Sequence, residues 1–270
     1  MKQPLKIKWS RRFNDEPKQV TVSRDPSGRY FVSFLVEEEL IQWDKNDSQV
    51  GLDLGIVDVI VSSKGFASGN PKYLKKYQAK LKKLQRRLKN KTKGSKRRRK
   101  AVQKVAKVHA RISDCRKDFL NKLTTQMVRE NQTIAIETLN IKGLMANHKL
   151  AGAIADCGWG ELVRQLEYKC QWHGRELIKI DQWFPSSKLC NSCGYKIDKL
   201  PLSVRKWSCP SCNHNQLRDF GAAINILGAG LALLARGASN DGELMNLIDS
   251  SYDAAKRESS SFNSNAFSRN

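Results

Sequence analysis

Long apolar runs are missing from this 270-residue sequence. No stretch reaches the roughly 18 consecutive apolar residues that a membrane-spanning helix needs. The longest apolar stretch, residues 220–235, is interrupted by Asn225. The N-terminal segment MKQPLKIKWSRRF also lacks the apolar core of a secretory signal peptide. These absences predict a chain without a membrane span, and they favour a cytoplasmic location.

Acidic residues are also few in this sequence. The chain has 26 Asp and Glu against 49 Lys and Arg, which gives a formal net charge of +23. So many positive charges repel one another unless an anionic partner binds to the surface, so we expect a polyanionic partner. Nucleic acid is favoured over an acidic membrane surface. Hydrophobic residues make up 40% of the chain, which is enough for one or two domains with real cores.

The basic residues are concentrated in a region that contains no acid at all. No Asp or Glu occurs in residues 59–113, and residues 72–117 hold 21 Lys and Arg. Apolar residues recur there every three or four positions in two runs, which predicts an antiparallel helical hairpin over residues 72–127 with a loop near 93–95. Its basic faces are either solvated or in contact with phosphates, and we favour phosphates because no acid on the helices offsets the repulsion. The expected contact residues are Lys82, Lys83, Arg86, Arg87, Lys96, Arg97, Arg98, Arg99, Lys100 and Lys104.

Four of the seven cysteines form two CxxC pairs, Cys190 with Cys193 and Cys209 with Cys212, separated by 15 residues. Each pair forms a tight knuckle that points two thiolates at one ion, and two knuckles complete the tetrahedral shell that Zn²⁺ accepts. A closed shell of four sulfurs leaves no position for water, so the expected zinc ion is structural. A redox role is disfavoured, because two pairs at this spacing rarely occur by chance. His214 is expected to be a neighbour rather than a ligand.

Three acidic residues interrupt otherwise apolar elements. Asp53 ends a predicted strand, Glu137 ends another at residues 133–138, and Asp219 starts a helix. A carboxylate in such surroundings is costly unless it is paired or binds a cation. Three converging carboxylates would bind two Mg²⁺ ions and serve phosphodiester cleavage. Two other interpretations stay open, because Asp219 could cap its helix and Glu137 could be a salt-bridged strand end.

Further elements follow from the pattern of apolar residues. We expect a β-hairpin over residues 18–40, two adjacent strands with a tight bend over 49–63, and a strand over 176–183. Helices are expected over 159–173 and 219–235. Because an isolated hairpin is marginally stable in water, the chain is expected to begin in the middle of a domain. From residue 237 on, the sequence is rich in Ser, Asn and Asp, which is typical of a mobile tail.

These segments, in this order, resemble the split RuvC nuclease of the TnpB (OrfB-type) proteins, the transposon-encoded relatives of type V CRISPR effectors. The resemblance runs from about residue 19 to about residue 227. It is carried by the four cysteines and by the segments GLDLG (51–55), IAIETLN (134–140), ADCGW (155–159), WFPSSK (183–188) and RDFGAAINI (218–226).

The resemblance implies an α/β fold of the RNase H-like (RuvC) type, split in sequence, with a basic helical hairpin insertion and an inserted zinc ribbon. It also implies a partial N-terminal β wedge domain. The implied domains are a partial wedge at 1–46, RuvC segments I and II at 47–184 with the hairpin at 72–127, the zinc ribbon at 185–215, the segment III helix at 216–236 and a disordered tail at 237–270.

The resemblance further implies an RNA-guided DNA endonuclease that needs Mg²⁺. Asp53, Glu137 and Asp219 match the family's acidic triad, which holds two Mg²⁺ ions, and the four cysteines match its ligands for one structural Zn²⁺. The implied partners are a guide RNA from the transposon end, target DNA and a separate transposase encoded nearby. Base pairing would read the target, and the basic hairpin would lie along the backbone of the guide–target heteroduplex. The implied location is the cytoplasm, in association with the nucleoid.

Three departures from the family pattern keep other functions open. Leu217 stands where members usually have Asp, Gly221 stands where they usually have Asn, and members usually carry a longer N-terminal region and another C-terminal tail. The second hypothesis is therefore a cleavage-deficient RNA- or DNA-binding accessory protein or repressor of a transposon. A third hypothesis is a transposase that joins DNA itself. The retained acids favour the nuclease, because simple binding does not need three buried carboxylates.

Overall fold

The computed structural model describes residues 6–238 of the chain. The tail predicted from residue 237 lies, from residue 239 on, outside the described residues. The regular elements are β1 (Gln19–Arg24), β2 (Tyr30–Leu35), β3 (Gln49–Asp53), β4 (Val61–Ser62), α1 (Tyr73–Lys89), α2 (Lys96–Glu130), β5 (Thr133–Glu137), α3 (Ile141–Met145), α4 (Ala151–Cys157), α5 (Trp159–His173), β6 (Glu176–Ile180), a 3-10 turn (Ser186–Lys188), β7 (Lys206–Ser208), β8 (Asn215–Leu217) and α6 (Arg218–Ala238).

The chain divides into two compact units. Of the described residues, the first unit contains 6–41 together with Tyr77–Arg111, and the second contains Gln42–Lys76 together with 112–238.

The first unit contains the predicted β-hairpin, which the structure confirms. β1 and β2 pair antiparallel with Val22 opposite Val32. Gly28 closes the turn at a φ of 90°, a left-handed conformation that glycine adopts without steric cost. The turn contacts α2, because the side-chain amide of Gln103 donates to the carbonyl of Ser27 at 3.2 Å. The hairpin is therefore held at its tip by the basic helix that follows it in the same unit.

The predicted helical hairpin is also confirmed, with α1 and α2 extending the predicted span slightly at its C-terminal end. Leu81 of α1 and Val108 of α2 are buried. The guanidinium of Arg98, in the first turn of α2, donates to the carbonyls of Leu88 and Lys91 at 3.2 and 3.1 Å. These two bonds tie the first turn of α2 to the end of α1 and to the loop that follows it.

The second unit is built on a four-stranded sheet in the order β4-β3-β5-β6. β3, β5 and β6 run parallel, and β4 is an antiparallel edge strand. Alternate residues of a strand point to opposite faces, so both faces of β5 can be read from its sequence. Ile134 and Ile136 belong to the main core, which includes residues of α2, α4 and α5. Ala135 points to the other face and packs against α6.

Small residues let α6 approach the sheet closely. A Cβ added to Gly51 would lie 2.0 Å from the carbonyl oxygen of Ala223, and one added to Gly230 would lie 2.7 Å from the Cβ of Ala135. Any larger side chain at either position would push α6 off the sheet. Since α6 begins at Arg218, this contact fixes where its first turn lies.

The prediction for residues 49–63 is wrong in one respect. β3 forms as expected, but β4 has only two residues, and residues 54–60 form a loop rather than a tight bend. Val59 and Ile60 are buried at the end of this loop, and the Asp58 carboxylate accepts from the amide of Gly69 at 2.9 Å. Burial of two apolar residues outside any strand explains why an apolar run misled the prediction.

One helix, Arg218–Gly237, is long and apolar enough by length and composition to cross a membrane. This differs from the expectation from the sequence, which excluded such a segment because of Asn225. Core helices of soluble proteins pass the same test, and about half of this segment is buried. Ile226 is fully buried against Ala135 and Ile180 of the sheet, so this helix serves as a core element.

Candidate active site and zinc centre

Two carboxylates lie at the carboxyl ends of neighbouring parallel strands. β3 and β5 pair with Leu52 beside Ile136, which places Asp53 and Glu137 at the same edge of the sheet. Asp53 is two residues after Gly51, and Glu137 is two residues after Ala135, so both carboxylates point to the face that α6 covers. The side chains are hydrogen-bonded to each other.

The third carboxylate comes from the first turn of α6. Asp219 is the second residue of this helix, and its charge acts on Asp53 directly. Its two oxygens accept from the guanidinium of Arg205 at 3.1 and 3.2 Å. All three predicted acids therefore line the same pocket, but their carboxylate oxygens do not all lie within 4.8 Å of one another. The structure does not support the alternative of Asp219 as the helix cap, since Asp219 lies inside the helix and points to Arg205.

Burial and mutual repulsion perturb the first two acids strongly. Burial raises the pKa of Asp53 well above the usual carboxyl range, and the charges of Glu137 and Asp219 raise it further, while Arg218 opposes the shift. Burial also raises the pKa of Glu137, although hydrogen bonds from Ser186 and Asp53 act in the opposite direction. Two carboxylates in this arrangement repel each other, and a divalent cation bound between them would relieve that repulsion.

Sequence reasoning did not find the residues that hold Glu137 in place. The hydroxyl of Ser186 donates to Glu137 Oε1 at 2.9 Å. The fully buried amide of Asn225 on α6 donates to the carbonyls of Ser186 and Leu189 at 2.8 and 3.0 Å. Ser186 and Asn225 both belong to segments that carry the family resemblance, but no rule of sequence spacing connects either of them to Glu137. In the described part of the chain, Glu137 has no basic partner, so the salt-bridged alternative fails.

The acids form one wall of an open pocket of about 500 Å³. Four basic residues also line it, and none of them was singled out from the sequence. They are Lys188, Lys196, Arg205 and Arg218. Leu217 and Gly221, which depart from the family pattern, do not line this pocket. Leu217 is partly exposed on β8, and Gly221 packs against the side chain of Gln216.

The four predicted cysteines form the second candidate site. Their Sγ atoms all lie within 4.8 Å of one another, and they are the only group of three or more metal-ligating side chains this close among residues 6–238. Two of the Sγ–Sγ distances are 3.7 Å and 3.6 Å. Four sulfurs at tetrahedral positions about 2.3 Å from a zinc ion would be separated by about 3.8 Å. These two distances match a tetrahedral zinc shell, and His214 is not part of the cluster.

Each knuckle is a tight turn that ends in a left-handed residue. Gly194 follows Cys193 at a φ of 73°, and Asn213 follows Cys212 at a φ of 57°. The amide of Gly194 donates to the Cys190 carbonyl, and the amide of Asn213 donates to the Cys209 carbonyl, both at 2.9 Å. Glycine adopts this conformation without steric cost, and Asn tolerates it better than most residues.

The predicted nucleic-acid contacts are exposed along α1 and α2, with one exception. Lys82, Lys83, Arg86, Arg87, Lys96, Arg97, Arg99, Lys100 and Lys104 are exposed. Arg98 is half-buried and donates to the carbonyls at the end of α1. The structure thus gives Arg98 a role in closing the turn. The other nine side chains are exposed and positively charged, so a polyanion can reach them.

Comparison with known proteins yields matches over most of the chain. A family model described as "Probable transposase" (OrfB_IS605) matches residues 31–148, and a model described as "Cas12f1-like, TNB domain" matches residues 159–226. A "Putative RNA-guided DNA endonuclease" from Streptomyces pristinaespiralis is 52% identical over 237 residues, which cover 87% of this chain and 59% of that protein. A "Putative RNA-guided DNA endonuclease InsQ" from Escherichia coli (strain K12) is 31% identical, over 86% of this chain and 61% of that protein.

A solved structure gives an independent likeness at the level of the fold. A chain in the cryo-EM structure of a CRISPR-Cas12f ternary complex matches 77% of this chain and 44% of its own length, with a TM-score of 0.50 and 18% identity. The fold is therefore a mixed α/β fold of the kind found in Cas12f, with a four-cysteine cluster suited to zinc.

Among proteins with this mixed α/β fold, the chain belongs to the TnpB (OrfB-type) family of transposon-encoded proteins. It spans about three-fifths of the length of the two endonuclease relatives named above.

Proposed function

We propose that this chain is an RNA-guided, Mg²⁺-dependent DNA endonuclease that cleaves phosphodiesters by the two-metal mechanism of RuvC nucleases. The observation that carries this proposal is the convergence of Asp53, Glu137 and Asp219 on one pocket. Placing like charges close together away from water is costly. Bound cations would offset this cost, which explains why three acids occur at one pocket.

The donor set suits a hard divalent cation. Carboxylate oxygens are the ligands that Mg²⁺ takes up in proteins, and Mg²⁺ usually keeps several waters besides. Asp53, Glu137 and Asp219 would hold the ions. When bound, Mg²⁺ supplies activation of a water molecule and stabilisation of the leaving oxygen. The four cysteines would hold one Zn²⁺ with a structural role, because all four positions of its shell are filled by sulfur.

The remaining pocket residues have roles that follow from their contacts. Ser186 orients Glu137 through its hydroxyl. Arg218 is almost buried, donates to the carbonyl of Pro201 at 2.9 Å and lowers the cost of charge on Asp53. Arg205 neutralises Asp219 until a cation or a phosphate competes for it. Together these residues keep a highly charged pocket folded before substrate arrives.

RNA guidance and DNA targeting are proposed from the names of the relatives and from the nine exposed basic residues of α1 and α2. A basic helical surface binds the sugar-phosphate backbone without reading sequence, which leaves recognition to base pairing. The proposed partners are a guide RNA, target DNA and a separately encoded transposase. With such partners, the chain would act in the cytoplasm in association with the nucleoid.

The proposal is tested by replacing the acids one at a time with their amides. Asp53→Asn and Glu137→Gln keep the shape of each side chain but remove the charge that binds the cation. We expect each variant to lose at least about 100-fold in Mg²⁺-dependent cleavage of DNA by the chain with its guide RNA. This corresponds to about 2.7 kcal/mol of transition-state stabilisation. Glu176→Gln, at an exposed position at the start of β6, is the matched control and should cleave normally.

Two results would overturn the assignment. If Asp53→Asn and Glu137→Gln both cleave like the original chain, the acids are not the metal site. If the original chain binds guide RNA and DNA but never cuts with Mg²⁺ or Mn²⁺, the accessory or repressor function replaces the nuclease.

A further inference from the structure

The most exposed tryptophan of the described chain lies at the acidic pocket. Trp183 is 81% exposed and lines this pocket together with Leu202, which is 75% exposed. Exposing a large aromatic ring costs hydrophobic free energy. Trp159 and Trp207 are buried, and Trp43 stacks on His173 at 3.6 Å. Trp9 in the first unit is the next most exposed, at 55%, but it does not line the acidic pocket.

The backbone around Trp183 is fixed on both sides. Its amide donates to the Asp181 carboxylate at 2.7 Å, and the amide of Phe184 donates to the Asp181 carbonyl at 3.2 Å. Phe184 packs against the sheet and α6, and Ser186, two residues later, is bonded to Glu137. Of two adjacent aromatic rings, one is anchored in the core and the other is held out over the pocket. A ring placed in this way is available to a ligand.

The charges of the pocket define the class of ligand. Its walls combine the three acids with Lys188, Lys196, Arg205 and Arg218. A ligand that stacks on an indole and also carries anionic groups to the basic side chains is a nucleotide within a strand. In a duplex, each base face is covered by its neighbours, so a free indole can stack only on an unpaired or unstacked base.

We propose that Trp183, flanked by Leu202, is a base-stacking residue that holds an unpaired nucleotide of single-stranded nucleic acid next to the acidic pocket. This inference deepens the proposed nuclease function and rests on it for its biological meaning, but the stacking itself does not need cleavage. The stacked base sets the position of the adjacent phosphodiester relative to Asp53, Glu137 and Asp219. Leu202 lies on the segment between the two cysteine pairs, so the ribbon contributes to the same binding step.

The stacking is tested by tryptophan fluorescence with the full 270-residue chain in chelator-free buffer without added Mg²⁺ or Mn²⁺, so that the zinc site stays loaded and Mg²⁺-dependent cleavage does not occur. The probes are the hexanucleotide (dT)6 and a hexamer of the same phosphate backbone in which every base is replaced by an abasic residue. We expect (dT)6 to quench the emission of the original chain, and Trp183→Phe to lose a clear part of this quenching. Trp9→Phe, which removes an exposed indole from the first unit, should keep the share of the quenching that Trp183 contributes. The abasic hexamer should not quench the emission of Trp183.

Affinity gives a second, independent measurement. The original chain should bind (dT)6 more tightly than the abasic hexamer, and Trp183→Ala should reduce this preference by about 5- to 100-fold, the range that corresponds to stacking of one base. Trp183→Tyr should restore most of it, because tyrosine keeps an aromatic face. Tyr195→Ala, at an exposed ribbon position that does not line the pocket, should leave the preference unchanged.

The outcomes separate this proposal from the proposed function. Equal quenching in the original chain and in Trp183→Phe, or equal base preference in the original chain and in Trp183→Ala, overturns the stacking. A concentration-dependent dimer that Trp183→Ala dissolves also overturns it, because the ring would then be a contact between copies. Quenching without any Mg²⁺-dependent cleavage overturns the nuclease and leaves the stacking intact.

Discussion

Single buried residues in this chain carry charges that the core does not easily accommodate. The Lys169 ammonium on α5 is almost fully buried and donates to Thr124, Thr125 and two oxygens of Asn121 on α2, at 2.7–2.9 Å. Its partners are neutral, and burial lowers its pKa to about 8. The periodicity of apolar residues could not predict that Lys169 is buried, because a lysine on a helix is ordinarily expected on its exposed face.

The shifted pKa of Lys169 has a consequence for stability. Between about pH 8 and the ordinary lysine pKa of about 10.4, the unfolded chain binds more protons than the folded chain, so the stability of the folded state rises with pH. Relative to Lys169→Met, the original chain should gain up to about 3 kcal/mol in free energy of unfolding over this range. Urea unfolding of both proteins at pH 7.5, 9 and 10 measures the difference. A difference that stays constant with pH would show that Lys169 keeps its ordinary pKa.

At the scale of elements, contact between α6 and β3 decides the geometry of the acidic pocket. Gly51→Ala would place a Cβ 2.0 Å from the Ala223 carbonyl oxygen, so α6 must move away from β3. We expect a loss of at least about 2 kcal/mol in stability, and a larger loss of Mg²⁺-dependent cleavage because Asp219 moves with the helix. Thermal unfolding and cleavage assays measure the two effects.

Gly152→Ala on α4 is the matched control, because a Cβ there meets nothing within 4 Å. It should leave stability unchanged or raise it slightly, since alanine favours helix over glycine. If Gly51→Ala unfolds at the same temperature as this control, the close approach of α6 is not what holds the pocket together.

Elements with strong periodicity could be predicted from the sequence, whereas the short helices and the three-residue strands could not. The helices α1, α2, α5 and α6 were found because three or more turns of each carry an apolar face. The short helices α3 and α4 were missed, since five and seven residues give too little periodicity to recognise. The strands β7 and β8, with three residues each, form in the region of the cysteine knuckles and carry no pattern of their own.

The candidate sites divide in the same way. The cysteines were found because their spacing is local, and the acids because each interrupts an apolar element. Arg205, Ser186 and Asn225 were missed because their partners lie 14 to 49 positions away in the sequence. Only the folded chain brings these pairs together, so no local pattern predicts them.

At the scale of the whole molecule, the net charge of +23 predicts binding to nucleic acid that weakens steeply with salt. Replacing Lys82, Lys83, Arg86 and Arg87 on α1 with Gln should reduce the slope of log affinity against log salt by about 0.7–0.9 for each phosphate that the variant no longer neutralises. Fluorescence anisotropy with a labelled RNA–DNA heteroduplex between about 50 and about 300 mM salt measures this slope.

The control for this experiment exchanges Lys and Arg at the same four positions, which keeps the charge. The slope should then match that of the original chain. If the Gln variant also keeps the original slope, α1 does not contact the backbone, and the basic face of α1 is simply solvated.

The last element of the described chain, α6, supplies both the cover of one sheet face and the third carboxylate. During synthesis, β3 and β5 leave the ribosome long before Asp219 does. A nascent chain therefore carries an incomplete acidic pocket and an uncovered apolar sheet until translation has passed α6. In the proposed nuclease, cation-dependent cleavage would begin only once this helix has emerged and docked.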